Sequence, residues 1–561
     1  MLRRPLQQME ARQHIHRPTP PWLRWTWAMP LVLVPIRPDW FAILVAPLGL
    51  YLLLWRREPP LFGVGFLLFT LFGAASQLIE PPRAELQLPW IPPGIVSEQA
   101  KDPTRNLIPW YGLKGLYGWV PGVGIGTYAE RQPEGFWRIW RIDPTEKAPI
   151  SEILVEHYYP VHTGDLYTES FYFRHDGTVS FDINFYTQTG NHFVPAQIVS
   201  LGDGLFRAYA SYQFGSEDQW VRVVSLARLQ GDWSYLEIAA PQLELGPTPT
   251  TYQYSPSPIP SHLERMGWWV SIALLGLTVL HGSRFLLRHT GGLYAGLAVL
   301  AGLFIQIGVA TFQRVHASMY SGGRVAGLIP EANPNFLGHL GLMDGGLVWV
   351  LAGTLLGGIA LGAALGLTWL SETRATLPAL APLMGAWWAG LSGWARGGIL
   401  AALVIAGGLA VLTGVRPELG RLGTILDPGY STNLARVEIW KVALQAFKEH
   451  PLVGVGYQGF SVYYLDHTPS NAYPLYVGHA HNVLLHLAAE SGLLGLVGFL
   501  ALWGTVVLWL FRLRQWSVLV LLVSALVLNF FDYTWFYAAV HYPLWVAVAW
   551  ALRSAPDTMR G

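Results

Sequence analysis

Val483-Leu-Leu-His-Leu-Ala-Ala-Glu-Ser-Gly-Leu-Leu-Gly-Leu-Val-Gly-Phe-Leu-Ala-Leu-Trp-Gly-Thr-Val-Val-Leu-Trp-Leu510 is an apolar run broken only by His486 and Glu490. A helix needs about 20 such residues to cross a bilayer's hydrocarbon core, so this run spans a membrane. Arg512 and Arg514 close it. Arginines beside a span mark its cytoplasmic end. The segment before the run, His479-Ala-His-Asn482, therefore falls on the outer face.

Working outward, runs of the same kind recur. Before the quoted run they cover 22–36, 39–55, 60–78, 266–282, 291–311, 336–370, 378–394 and 397–413; after it they cover 518–531 and 535–552. Apolar residues make up 52% of the chain and charged ones 13%, against about 25% charged in soluble domains. The expected fold is a polytopic α-helical membrane protein of about 10–12 spans. Placing His481 outside requires an odd number of crossings before it, and the runs named give an even one. The run 336–370 is long for a single span, so a hidden crossing or re-entrant turn is expected between Phe336 and Gly423. The basic N-terminus (Arg3, Arg4, Arg12, Arg17, Arg24) has no small-residue cleavage site after its first apolar stretch and reads as a signal anchor. Cysteine is absent, which excludes disulfides and thiol chemistry. A net charge of +1 gives no sign of a nucleic-acid partner.

Between the third and fourth runs the pattern changes. Tyr167–Arg174, Thr178–Tyr186 and Phe206–Phe214 alternate apolar and polar residues, rich in aromatics. His175-Asp-Gly177, Thr189-Gly-Asn191 and Gly202-Asp-Gly204 punctuate them. Period-two strands between turn signals predict an antiparallel β-sandwich. The organisation expected is N-terminal membrane segments (1–80), an extracytoplasmic β-sandwich (81–264), central membrane helices (265–413), an extracytoplasmic catalytic loop (414–482) and C-terminal membrane helices (483–561). Proline-rich edges (Pro81, Pro82; Pro256, Pro258, Pro260) read as linkers. The stretch Gln242-Leu-Glu-Leu-Gly-Pro-Thr-Pro-Thr-Thr-Tyr252 resembles the closing strand of jelly-roll modules similar to carbohydrate-binding modules. Exposed faces of Trp137, Trp140, Tyr158, Tyr159, Trp220, Trp233 or Tyr235 would then stack on sugars; the alternative is that these aromatics fill the core.

Chemistry-bearing residues concentrate near the end. Arg436-Val-Glu-Ile-Trp440, His450-Pro-Leu-Val-Gly-Val-Gly456 and His481-Asn482 with nine residues to Gly492 and two more to Gly495 stand in order. Upstream lie Arg324-Val-Ala-Gly327 with Asn333-Pro-Asn335, and Leu391-Ser-Gly-Trp-Ala-Arg-Gly-Gly398. Together these resemble the O-antigen ligase and polymerase family of lipid-linked glycan transferases. Its patterns are R-x-x-x-W, H-P-L-x-G-x-G, H-N-x9-G-x2-G, R-x-x-G with N-P-N, and T-G-S-R-G-A. Trp394 and Ala395 depart from the last.

The resemblance implies a membrane glycosyltransferase, independent of metal and cofactor, acting with inversion in the cytoplasmic membrane with its β domain and active site on the outer face. The donor would be a glycan on a polyprenyl diphosphate. The acceptor hydroxyl would belong to a lipid A core, a growing chain or a protein. A transporter or flippase is the rival of a different class, and would show inverted repeats that are absent here. Expelling a diphosphate builds negative charge, which arginine's planar fork suits. Arg396 and Arg436 are therefore the expected catalytic cations, converging in one cavity, with Arg324 binding substrate. Histidine is the usual base for a hydroxyl proton. His481 is the expected catalytic base and His479 its competitor. Asn482 either orients His481 or caps the helix. Glu490 either pairs with a site arginine or hydrogen-bonds within the bundle. Gly492 and Gly495 read as close-packing positions. The spacing of His479, His481 and His486 fits no compact zinc signature, so no metal ligand is expected.

Overall fold

The computed structural model of the chain describes residues 20–55, 62–78, 94–99, 127–131, 136–141, 159–254, 262–315, 325–328, 333–413, 420–424, 427, 429, 431–467 and 477–553. Arg324, Tyr158 and the proline-rich edges lie outside the described residues, as does part of the loop 414–482. The helices are α1 (Pro21–Ala28), α2 (Leu33–Ile36), α3 (Pro38–Leu54), α4 (Gly63–Ser76), α5 (His262–Thr290), α6 (Gly292–Val315), α7 (Pro334–Ala352), α8 (Thr354–Ser371), α9 (Thr376–Ala389), α10 (Gly393–Thr413), α11 (Ser431–Glu449), α12 (Phe460–His467), α13 (Val483–Arg512), α14 (Trp516–Phe530) and α15 (Ala538–Leu552). Four of them, α5, α6, α8 and α13, are long and apolar enough to cross a bilayer; α3, α4, α14 and α15 are shorter apolar helices. The chain is a polytopic membrane protein with a separate β domain.

The long run 336–370 is two helices. Gly353, at φ 82 and ψ −167, ends α7 and begins α8. The pair folds back on itself: a Cβ at Gly341 would lie 3.1 Å from Leu367, and one at Gly345 would lie 3.0 Å from the Ala360 carbonyl. Small residues let the two backbones approach this closely. The reversal at Gly353 also inverts the direction of everything between it and the next turn. Arg374, which follows α8, therefore stands at the opposite end of the bundle from Gly353.

Contacts between helix ends define those two ends. At one, Gln77 after α4 takes a 2.8 Å hydrogen bond from the Tyr457 amide, and its amide group donates to Ser491 at 3.3 Å. His262, opening α5, lies 2.8 Å from the Gln77 carbonyl. At the other end Arg284 and Arg288 of α5 donate to the Leu552 and Arg553 carbonyls. The same end holds the start of α8, where the Trp387 indole donates to Thr354 at 2.8 Å.

Helix α13 is not continuous. Gly492 adopts φ 59, ψ −156, which opens one turn and leaves backbone groups without helical partners. In a bilayer each such group costs several kcal/mol if it stays unsatisfied. The loop 451–456 supplies the partners. Val455 and Gly456 amides donate to the Ala489 and Glu490 carbonyls at 2.8 and 2.9 Å; Leu493 and Leu494 amides donate to the Pro451 and Leu452 carbonyls at 2.8 and 3.2 Å. Such close docking needs glycine on both sides. A Cβ at Gly454 would sit 2.4 Å from the Glu490 carbonyl carbon, and one at Gly492 2.3 Å from that of Leu452. Gly492 is thus a break point; only Gly495, tight against Ser491 and Trp269, serves helix packing.

The β strands are β1 (Ser97–Gln99), β2 (Thr127–Arg131), β3 (Trp137–Arg141), β4 (Tyr159–Pro160), β5 (Leu166–His175), β6 (Ser180–Thr187), β7 (Gly190–Pro195), β8 (Gln197–Gly202), β9 (Leu205–Gln213), β10 (Trp220–Gln230), β11 (Tyr235–Leu245) and β12 (Tyr252–Tyr254). A six-stranded sheet in the order β2-β3-β11-β5-β9-β8 faces a four-stranded one, β4-β10-β6-β7. Phe171, Phe173 and Leu236 of the first pack with Phe181, Phe185 and Leu226 of the second. The Gln242–Tyr252 motif closes the fold. The Gln242 amide donates to Glu244 at 2.6 Å, and Thr250 donates to both Glu244 oxygens from its amide and hydroxyl. Gly246 turns the chain at φ 130, and Tyr252 is fully buried. Trp233 is buried, and Trp140, Trp220 and Tyr235 are half-buried, so none of these offers a fully open stacking face.

Gly492→Ala is expected to destabilise the protein by on the order of 2–4 kcal/mol, since it combines a positive φ with a backbone clash. Thermal unfolding in detergent checks this; a midpoint within a degree of wild type would contradict the docking described.

Candidate active site

Thr432, Ala435, Arg436 and Ile439 recur at three- and four-residue spacing and so share one face of α11. That face forms one wall of a cavity of about 180 Å³. Asn335 from the start of α7, the turn Glu372-Thr-Arg-Ala375 between α8 and α9, His481 and Asp532 complete it. The same face continues along α11 as apolar packing: Ile439, Val442, Ala443 and Ala446 are buried with Phe460, Tyr464 and Ala489.

His481 sits on the two-residue step into α13. Asn482 caps that helix, its Oδ1 accepting from the Leu484 and Leu485 amides at 3.0 Å each. Its amide donates to the Phe530 carbonyl at 3.1 Å and ties the cap to the end of α14. Of the two roles the sequence allowed, Asn482 thus fills that of the cap. His481 is held at φ 47, a left-handed conformation that side chains other than glycine seldom adopt. Its Nδ1 lies 3.3 Å from Asp532 Oδ1. Asp532 is also anchored by the Tyr533 amide at 2.8 Å and faces His339 Nε2 at 3.7 Å. Burial opposes charge on Asp532, but the hydrogen bond and charge of His481, with His339 and His479 behind, outweigh it. The carboxyl is held well below the usual carboxylate range. An ionised carboxylate on one ring nitrogen orients the imidazole and fixes its tautomer.

His479 has a different setting. Burial, with the charges of His481, His486 and Arg436, pushes it down to about 3. It is neutral at physiological pH and does not line the cavity. His486 accepts from the Ala480 amide and faces Glu490 at 3.3 Å. Glu490 also accepts from the Phe460 amide. Its partners are thus inside the bundle, and none of those named is a site arginine.

Among the described residues, two guanidiniums reach the cavity, those of Arg436 and Arg374. Arg374 donates to Thr424 Oγ1 at 3.0 Å and to Thr432 Oγ1. Arg396 is not among the lining residues. It donates to the Trp388 and Ala389 carbonyls at 3.1 and 2.7 Å, at the far end of α9. That 14-residue helix separates it from the cavity by about 20 Å. The structure thus brings His481 and Arg436 together and does not bring Arg396 to them. Ser371-Glu-Thr-Arg-Ala375 carries a signal that the segment around Arg396 lacks, a hydroxyl residue directly before the arginine, and like it has a small residue after. Asp532 was absent from the sequence reading. Its signal was an acid lodged between two apolar runs, where an ionisable group is costly.

Ligand atoms of His479, His481 and Asp532 lie within 4.8 Å of one another, a spacing a metal ion could use. Arg436, close enough to depress His479, disfavours a dication there.

Helical spans, a separate β domain and a His–Asp–Arg cavity at one end of the bundle define a polytopic membrane protein. Residues 359–500, which carry Glu372, Arg374, Arg436 and His481, match the family described as O-antigen ligase. A stretch of 107 residues is 33% identical to an exopolysaccharide production protein, ExoQ, of Rhizobium meliloti (strain 1021). That stretch is 18% of this chain and 22% of the relative, so the chain spans about a fifth of that protein's length. The matched segment belongs to the O-antigen ligase/polymerase family, as the motifs anticipate.

Asp532→Asn keeps the shape and removes the charge. Glycan transfer is expected to fall by about 100-fold or more while thermal stability in detergent stays near wild type. Undiminished transfer would exclude Asp532 from the site.

Proposed function

We propose that this protein transfers a glycan from a polyprenyl-diphosphate donor to an acceptor hydroxyl at the outer face of the cytoplasmic membrane. One observation carries the reading: an Asp-oriented histidine and two arginines from distant segments meet in one cavity at one end of the bundle. Arginines at the other end, Arg284, Arg288, Arg512, Arg514 and Arg553, favour a cytoplasmic position for that end.

Arg374 and Arg436 hold the diphosphate, and their charge offsets what builds on it as the sugar–oxygen bond breaks. His481 takes the acceptor's proton as the hydroxyl oxygen bonds to the anomeric carbon. The polyprenyl diphosphate leaves with the bonding electron pair. Asp532 stabilises the imidazolium until it passes its proton on. A single displacement of this kind inverts the anomeric centre. Ligation to a lipid, polymerisation of repeat units and transfer to protein all use this chemistry, and the likeness to an exopolysaccharide protein favours a growing chain as acceptor.

His481→Ala should abolish transfer without loss of membrane insertion; activity within about threefold of wild type would remove it as base. Arg374→Lys and Arg436→Lys should each fail too, because a point charge cannot reproduce a bidentate fork, whereas Arg396→Lys should transfer normally. Loss of activity only in the Arg396 variant would reverse the assignment.

The reaction as drawn needs no metal. Dialysis against EDTA is expected to leave transfer unchanged. Inactivation restored by a divalent cation would assign His479, His481 and Asp532 to a metal instead.

A further inference from the structure

Glu372 is an unusual residue for its place. It is the C-cap of α8 and stands at φ 51, ψ 38. Helices that end in this left-handed conformation most often place glycine there, because a Cβ is unfavourable. Strain kept at a residue lining a cavity is a pointer to use. Its side chain lines the same cavity as Arg374, Arg436, His481 and Asp532. It lies 3.7 Å from Arg314 at the end of α6, and is largely buried. A second carboxylate has no place in holding a diphosphate, which it repels. Asp532, the other acid among the described lining residues, faces His481 and His339. Glu372, beside Arg314, carries carboxylate oxygens at the cavity wall that accept from groups donating hydrogen bonds. The two oxygens of a carboxylate match a pair of neighbouring hydroxyls, or a hydroxyl and an ammonium.

We propose that Glu372 is a recognition residue for the acceptor: it holds the sugar ring that carries the attacking hydroxyl, through that ring's other hydroxyl or amino groups. The inference rests on the proposed transfer reaction. The cavity then has two parts. Arg374 and Arg436 receive the donor's diphosphate, Glu372 receives the acceptor ring, and His481 lies where the two substrates meet. The left-handed turn aims the carboxylate into the cavity, and Arg314 stands 3.7 Å from it.

The test uses the full-length protein in lipid nanodiscs with a radiolabelled polyprenyl-diphosphate-linked repeat unit as donor. Methyl glycosides of glucose, galactose, mannose and glucosamine serve as acceptors. Two products are counted: free glycan released to water, and extended glycoside. Glu372→Gln and Glu372→Gly are compared with wild type, and the glycine variant also relieves the backbone, so it is not expected to unfold. Both should show at least a tenfold rise in KM for the best glycoside, with little change in kcat. An unchanged KM in both variants overturns the proposal. So does recovery of the wild-type KM in the double variant Glu372→Gln/Arg314→Gln, which would make Glu372 a counter-ion only. Wild-type protein that neither releases nor transfers glycan overturns the transfer reaction itself, and this inference with it.

Discussion

The docking of one short loop onto a broken helix organises everything at the site end of the bundle. Four backbone hydrogen bonds join residues 451–456 to the open turn at Gly492, and they satisfy groups that a bilayer would not. The break gives α13 its fixed relation to the loop, and the loop fixes the helix on each side of it. Helix α11 precedes it and carries Arg436; α12 follows it. Through Ala489 and Phe460 both helices share one apolar core with the first turns of α13. His481 stands at the start of that same α13. The distance in sequence between Arg436 and His481 is thereby closed by a single interaction.

A second constraint positions the reactive groups more finely. His481 is in a left-handed conformation between a buried alanine and a helix cap, and Asn482 binds the cap to the end of α14. Asp532 follows α14 by only a short step. The asparagine thus joins the segment that carries the base to the one that carries the carboxylate. Backbone strain at His481 and Glu372 is offset by the packing around them, and both line the cavity. The closing motif of the β-sandwich is held by internal hydrogen bonds through Glu244 and Thr250.

The sequence disclosed most of what depends on local pattern. Apolar runs of spanning length, period-two strands and the ordered His, Arg and Gly motifs are each written in a short window. His481 and Arg436 were legible for that reason. What escaped depends on direction and distant pairing. Gly353 in a glycine-rich apolar run gives no sign that it stops a helix, yet its turn decides which end of the bundle holds Arg374. The length of the run predicts a hidden crossing but not its position, so Arg396 had the better placed motif. Asp532 is far from His481 in the chain, and only the fold joins them. Gly492 looked like a packing glycine because its positive φ has no local signature. The Gln242–Tyr252 motif was read for its resemblance to sugar-binding modules, while its residues do structural work that spacing alone does not reveal.

The central claim is that the diphosphate of the donor rests between Arg374 and Arg436, beside His481. Cryo-electron microscopy of the protein in nanodiscs with bound polyprenyl diphosphate tests it directly. Both guanidiniums should lie within hydrogen-bonding distance of phosphate oxygens, with His481 facing the terminal phosphate. Diphosphate density at Arg396, at the opposite end of α9, would contradict the account.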